Sequence, residues 1–206
     1  MAFLVRKSRF GTLIGKRAPS FSLAASMPDD SVKKISLDDF SGKYLCLYFW
    51  PADFTFVCAS ETIDFHKKLD EFKKRGCDVI GASIDTEHVH RAWKATSKAD
   101  GGLGTKINHP MLADVNKTLA NDYQVLLDNG LSVRGVFLID QAGKVRCEMK
   151  NDLPLGRNVD EVIRILDSIV FTDKHQDEVC PSGWKPGQEA MKPTKQGVAE
   201  YLSKHT

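Results

Sequence analysis

The sequence predicts an α/β domain with a mixed central sheet flanked by helices, followed by a loop-rich C-terminal tail. Three observations carry this expectation. Residues 44–50 (YLCLYFW) form a continuous β-prone apolar run, as in a strand covered on both faces. A second such run, residues 77–83 (CDVIGAS), follows one helical pattern later, which makes a β-α-β unit with parallel strands and a right-handed crossover. From Thr172 onward the character changes, with Pro181, Gly183, Pro186, Gly187 and Pro193 spaced along a polar tail.

Pro51 ends the first run. After a loop, Phe65, Leu69 and Phe72 recur at helical spacing. Glu61 and Asp64 lie in the first turns and Lys73, Lys74 and Arg75 in the last, which suits the helix dipole, and Gly76 is a natural residue to follow the helix. Residues 86–97 read as a further helix, broken by Gly101-Gly102-Leu103-Gly104. A short strand is expected within 109–114 and a short helix over 115–122. Residues 133–140 and 144–150 flank Gln141-Ala142-Gly143 and read as a hairpin. Residues 158–169 carry Val162, Ile165, Leu166 and Ile169 on one helical stripe, and 194–204 form a short terminal helix. The order β-α-β-α-…-β-β-α, with the short strand and helix of 109–122 in the gap, is that of a thioredoxin-like domain. It predicts a domain over residues 1–171 and a tail over 172–206.

The 206 residues carry 29 Lys plus Arg against 27 Asp plus Glu, a net charge of +2, with 42% apolar and 27% charged residues. These values exclude a disordered polar chain and a disulfide-stapled miniprotein. The near-neutral balance argues against nucleic acid as a partner. No apolar run approaches the roughly 18–20 residues of a membrane span. Residues 1–10 (MAFLVRKSRF) are basic and free of acids, too short for the usual targeting peptide. The chain is read as cytoplasmic, with an organellar address as the alternative.

The cysteines are Cys46, Cys58, Cys77, Cys147 and Cys180, an odd number at wide spacings with no C-x-x-C. Cys46, Cys77 and Cys147 suit small buried apolar positions. Cys58 does not, because it follows a loop leaving a buried strand and sits at the start of a helix. The thiolate is the reactive form of cysteine, and the partial positive charge and free N–H groups of a helix N-terminus favour it. Pro51 can shield such a thiolate and offers no competing N–H. Thr55, three residues before Cys58, places a hydroxyl where it can donate to sulfur and accept from a substrate O–H.

Pro51, Thr55 and Cys58 match P-x-x-x-T-x-x-C, and residues 53–58 (DFTFVC) resemble the typical 2-Cys subgroup of the peroxiredoxins. The resemblance extends through 79–85, 134–140, 151–157, 171–175 and the tail residues Val179-Cys180-Pro181 and Gly183-Trp184. It implies a thiol-dependent peroxidase reducing hydrogen peroxide and small alkyl hydroperoxides. In it Cys58 is the peroxidatic cysteine, Thr55 orients the peroxide and Arg134 holds the thiolate and polarises the leaving oxygen. Glu61 orients Arg134 through a bidentate pair, and Arg157 joins the network. Cys180 resembles the resolving cysteine, which implies an intersubunit disulfide with Cys58; the sequence separation of the two does not itself distinguish pairing between chains from pairing within one. Thioredoxin or a similar donor is implied as reductant and a homodimer, assembling to a decamer, as the oligomer. No metal, haem or flavin cofactor is implied, and the scattered histidines offer no metal-ligand spacing.

Gly101–Gly104 and Tyr201-Leu202 resemble the paired GGLG and YF elements of peroxide-sensitive members; with Leu202 in place of Phe, intermediate over-oxidation is expected. Ala59-Ser60 stand where Pro-Thr is usual and Ala52 where Leu or Met is frequent; Trp50 is expected in the core. A second reading is an oligomeric holdase chaperone or peroxide-signalling relay. A dithiol reductase is disfavoured by the missing C-x-x-C.

Overall fold

The computed structural model describes residues 11–205. The reading of residues 1–10 as a cytoplasmic start lies outside them. The described residues fall into two compact units that divide between Arg157 and Asn158.

The first unit is a seven-stranded mixed sheet. In chain order its strands are β1 (Ser22–Ser26), β2 (Val32–Ser36), β3 (Tyr44–Phe49), β4 (Cys77–Ser83), β5 (Met111–Ala113), β6 (Arg134–Ile139) and β7 (Val145–Asn151), arranged β2-β1-β5-β4-β3-β6-β7. The predicted β-α-β unit is present: β3 runs parallel to β4 from Tyr44↔Cys77 to Phe49↔Ala82, and β5 continues parallel beyond β4. The predicted hairpin is β6–β7. Every residue of β3 is buried, which explains its unbroken apolar run. Leu45, Leu47 and Phe49 point into a core with Phe137, Tyr123, Ile80 and Leu112. Cys46 and Tyr48 alternate to the opposite face, where the Tyr48 ring stacks on Phe65 at 4.1 Å. Trp50 is fully buried, as expected. Burial pushes the thiols of Cys46 and Cys77 far up.

The single helix expected before β4 is two: α1 (Phe56–Lys67) and α2 (Leu69–Lys74), hinged at Lys68 with φ −96° and ψ 5°. Phe65 and Phe72 both reach full burial across the break, so the apolar spacing survives it. Gly76 ends α2 at φ +67°. Helix α3 (Glu87–Ala95) begins at Thr86, whose hydroxyl accepts from the Val89 N–H at 3.2 Å. The loop beyond it needs its glycines: a Cβ on Gly102 would lie 2.1 Å from the Thr96 carbonyl oxygen. The short helix α4 (Thr118–Asp122) opens on the Asp114 carboxylate, which accepts from the N–H groups of Leu119 and Ala120 at 3.0 and 2.7 Å.

In the second unit, α5 (Val159–Lys174) is capped by the Asn158 side chain and runs five residues past the predicted end, and α6 (Lys195–His205) closes the chain. The intervening tail is more ordered than its Pro/Gly content suggests. Trp184 is buried, its indole N–H donates to the Gln188 carbonyl at 3.1 Å, and its ring lies 4.6 Å from Phe171. Val179 and Met191 exchange backbone hydrogen bonds of 2.8 and 3.0 Å. Cys180 is half-buried in this unit, between the paired Val179 and the buried Trp184.

Candidate active site

The loop between β3 and α1 is held from several sides. The Trp50 indole N–H donates to Asp53 Oδ1 at 2.8 Å, His90 Nδ1 lies 2.7 Å from Asp53 Oδ2, and the Asp53 backbone N–H donates to Asp85 Oδ2 at 2.8 Å. Burial raises the Asp53 carboxyl above its ordinary range against the lowering effect of His90. Phe54 turns the chain through the left-handed region at φ +56°, a strained conformation for an aromatic residue. The turn brings Thr55 to the N-cap position and Cys58 to the third residue of α1, among the free N–H groups of its first turn.

Thr55 occupies the cap position without capping. Its hydroxyl lies 2.7 Å from the Ala52 carbonyl oxygen and 2.8 Å from Cys58 Sγ, and with one hydrogen it can donate to only one of them at a time. Arg134, at the start of β6, reaches Cys58 Sγ from Nη1 at 3.4 Å. Its Nε donates to the Leu153 carbonyl at 2.7 Å. Cys58, Glu61, Arg134 and Pro51 are all buried.

Glu61, one helical turn after Cys58, lies between two arginines. Arg134 Nη1 reaches its Oε2 at 2.5 Å. The bidentate pair expected of Glu61 is made with Arg157 instead, whose Nε and Nη2 donate to Oε1 and Oε2 at 2.7 and 2.9 Å. Arg134 meets Glu61 through Nη1 alone, the same nitrogen that faces Cys58 Sγ. Arg157 Nη1 also donates to the carbonyls of Phe49 and Gly135, each at 2.7 Å, tying the network to β3 and β6.

The structure thus brings Pro51, Thr55, Cys58, Glu61 and Arg134 into one unit, joined by Arg157. Cys180 belongs to the other unit, with Sγ 3.8 Å from the Ser168 carbonyl and its thiol raised by burial. The Trp50–Asp53–His90 brace was not read from the sequence. Trp50 and Asp53 are three residues apart, but His90 lies 37 residues beyond Asp53, and a lone buried histidine carries no local pattern. No disulfide forms among the described residues, and none of their His, Cys, Asp and Glu side chains cluster by three or more as a metal site.

A buried helix-start cysteine, contacted by a hydroxyl and a guanidinium on a thioredoxin-like sheet, defines a thiol-based oxidoreductase. The AhpC/TSA family model matches residues 14–147, and the model for the C-terminal domain of 1-Cys peroxiredoxin matches residues 168–204. Peroxiredoxin-1 of Gallus gallus is 50% identical over 192 residues, 93% of this chain and 96% of that protein. Peroxiredoxin-2 of Mus musculus is 48% identical over 193 residues with the same coverage. Reduced 2-Cys peroxiredoxin of Plasmodium vivax superimposes with a TM-score of 0.91 at 44% identity, covering 94% of this chain and 100% of that one. The chain belongs to the AhpC/TSA family, the peroxiredoxins, and is a thiol-dependent peroxidase.

Proposed function

We propose that Cys58 reduces hydrogen peroxide and small alkyl hydroperoxides through a sulfenic acid resolved by Cys180 of the partner subunit. The observation that carries this reading is the convergence of Thr55 Oγ1 and Arg134 Nη1 on Cys58 Sγ at 2.8 and 3.4 Å. The thiolate attacks the nearer peroxide oxygen; the Sγ–O bond forms as O–O breaks, and the departing oxygen leaves as water or alcohol on taking a proton. Arg134 favours thiolate and stabilises charge on the departing oxygen. Thr55 turns its single hydrogen to the Ala52 carbonyl and its lone pair to the peroxide O–H, which aligns the reacting oxygens.

The thiolate of the partner's Cys180 then displaces hydroxide from the sulfenic sulfur, giving a disulfide and water. A thioredoxin-type dithiol returns both sulfurs to thiols. Pairing requires the Cys180 segment to leave its hydrogen bonds to Met191 and the packing around Trp184, so tail opening competes with over-oxidation of Cys58. We assign the peroxidase domain to 1–171 and the resolving tail to 172–206, in a cytoplasmic homodimer that assembles to a decamer.

Intact mass under denaturing, non-reducing conditions after one equivalent of hydrogen peroxide tests the scheme. The expected product is a covalent dimer, absent from both Cys58→Ser and Cys180→Ser. A monomer carrying an internal disulfide would overturn the pairing between chains. Free thiols at an unchanged mass would overturn the role of Cys58 and leave the holdase reading.

A further inference from the structure

We propose that Arg164 is a positioning residue for the resolving step: by holding the turn that carries Cys180 against α5, it sets how often Cys180 is released to attack the oxidised Cys58. The inference rests on the roles proposed above for Cys58 and Cys180.

Glu161, Arg164, Ser168 and Phe171 recur at helical spacing and share one face of α5. The tail lies along that face. Arg164 Nη1 donates to the Trp184 carbonyl at 3.1 Å, Cys180 Sγ lies 3.8 Å from the Ser168 carbonyl, and the Trp184 ring sits 4.6 Å from that of Phe171. The first contact is a hydrogen bond from a cation, the strongest kind of the three. Its anchor belongs entirely to the helix: Arg164 Nε and Nη2 donate to Glu161 Oε2 and Oε1, each at 2.7 Å. That fork orders the guanidinium whether or not the tail is docked, with Nη1 left for the Trp184 carbonyl.

The hold reaches Cys180 through a stiff turn. The Trp184 N–H donates to the Pro181 carbonyl at 3.2 Å, and Gly183 takes the left-handed conformation at φ +70° that such a turn needs. Cys180 directly precedes Pro181. The turn moves as one piece, so withdrawing the Trp184 carbonyl from Arg164 carries Cys180 away from Ser168.

While docked, Cys180 keeps its proton: burial raises its thiol, against the lowering effects of Ser168 and the Arg164 charge. The thiol is not the attacking form. Once released into water the sulfur loses its proton and displaces hydroxide from the Cys58 sulfenic acid; S–S forms as S–O breaks, and hydroxide and proton leave as water. Arg164 thus has two opposed influences, favouring thiolate by its charge and delaying release by its hydrogen bond. The charge acts only while the tail is docked, and attack follows release, so the hold decides the rate.

Two variants test this. Arg164→Met keeps the aliphatic stem and removes the donor and the charge; Glu161→Gln keeps the arginine and loosens its fork. After a pulse of hydrogen peroxide, Cys58 oxidation and Cys58–Cys180 disulfide formation are timed separately by acid quench and mass, at several values over about pH 6–9. Disulfide formation is expected to be about fivefold faster in Arg164→Met and about twofold faster in Glu161→Gln, with Arg164→Lys between Arg164→Met and wild type. Cys58 oxidation and the pH dependence of disulfide formation are expected to stay as in wild type, and over-oxidation of Cys58 in Arg164→Met to need about fivefold more peroxide. Disulfide formation at or below the wild-type rate in both Arg164→Met and Glu161→Gln, or a rate that shifts along the pH axis, would overturn the inference and spare the peroxidase scheme. Absence of the Cys58–Cys180 disulfide from the wild-type protein would instead remove the scheme itself.

Discussion

Replacing Glu61 with glutamine is expected to cost about 3 kcal/mol of stability and about a hundredfold in peroxidase rate. The carboxylate is buried and bonded to Arg134 at 2.5 Å, to Arg157 at 2.7 and 2.9 Å, and to the Arg157 backbone N–H at 2.8 Å. Glutamine presents one oxygen and one NH2, so at least one guanidinium faces a donor. Two buried cations then share a site without a counter-charge, and removing one partner from a buried pair costs more than the pair contributes. Arg134 loses the contact that aims Nη1 at Cys58, so the chemical step suffers beyond the loss of stability. Denaturant titration and peroxide kinetics on Glu61→Gln and Glu61→Asp check this. Wild-type behaviour in the glutamine variant would show that the charge is not what holds the arginines.

Stability is expected to fall steeply in acid because of His109. Its imidazole titrates at about 3 in the folded protein and near 6.5 in the unfolded chain. Between those values the unfolded state binds the extra proton and the folded state does not, so unfolding becomes easier as pH drops. The loss begins as pH falls through about 6.5, amounts to about 2 kcal/mol by pH 5, and reaches on the order of 4 kcal/mol at the lower limit. Asp53 bends the curve the other way, since its folded carboxyl is raised and takes up a proton before the unfolded one does. Unfolding free energies of wild type and His109→Leu across pH 5–8 separate the two contributions. The variant is expected to lose less stability toward acid, and parallel curves would show that His109 is protonated while folded.

The sequence made legible the parts of this fold whose signals are local. The buried strand at 44–49, the matching run at 77–83 and the hairpin at 134–151 all appear where apolar runs and turn residues placed them. The β1–β2 hairpin escaped because its strands, SLAAS and VKKIS, are short and β2 is largely exposed, leaving little apolar alternation to read. The break at Lys68 escaped because Phe65 and Phe72 keep helical spacing across it. In the site, Pro51, Thr55 and Cys58 share one short segment, and Arg134 and Glu61 came through the family resemblance. The choice of Arg157 as bidentate partner was not legible, because it depends on how folding aims two guanidiniums from distant segments at one carboxylate. Tyr48 and His109, far apart in sequence, read as ordinary core until folding sets the phenol 2.8 Å from the imidazole.

Cys46 and Cys77 lie on neighbouring parallel strands at the centre of the sheet, sealed from solvent and with thiolate strongly disfavoured. Such sulfurs are closed to an alkylating reagent until β3 and β4 part. The molecule therefore carries its own timepiece: modification at these two positions counts openings of the sheet, while Cys180 reports on the tail. The peroxidase can be followed at both levels by one reagent, without any label being introduced.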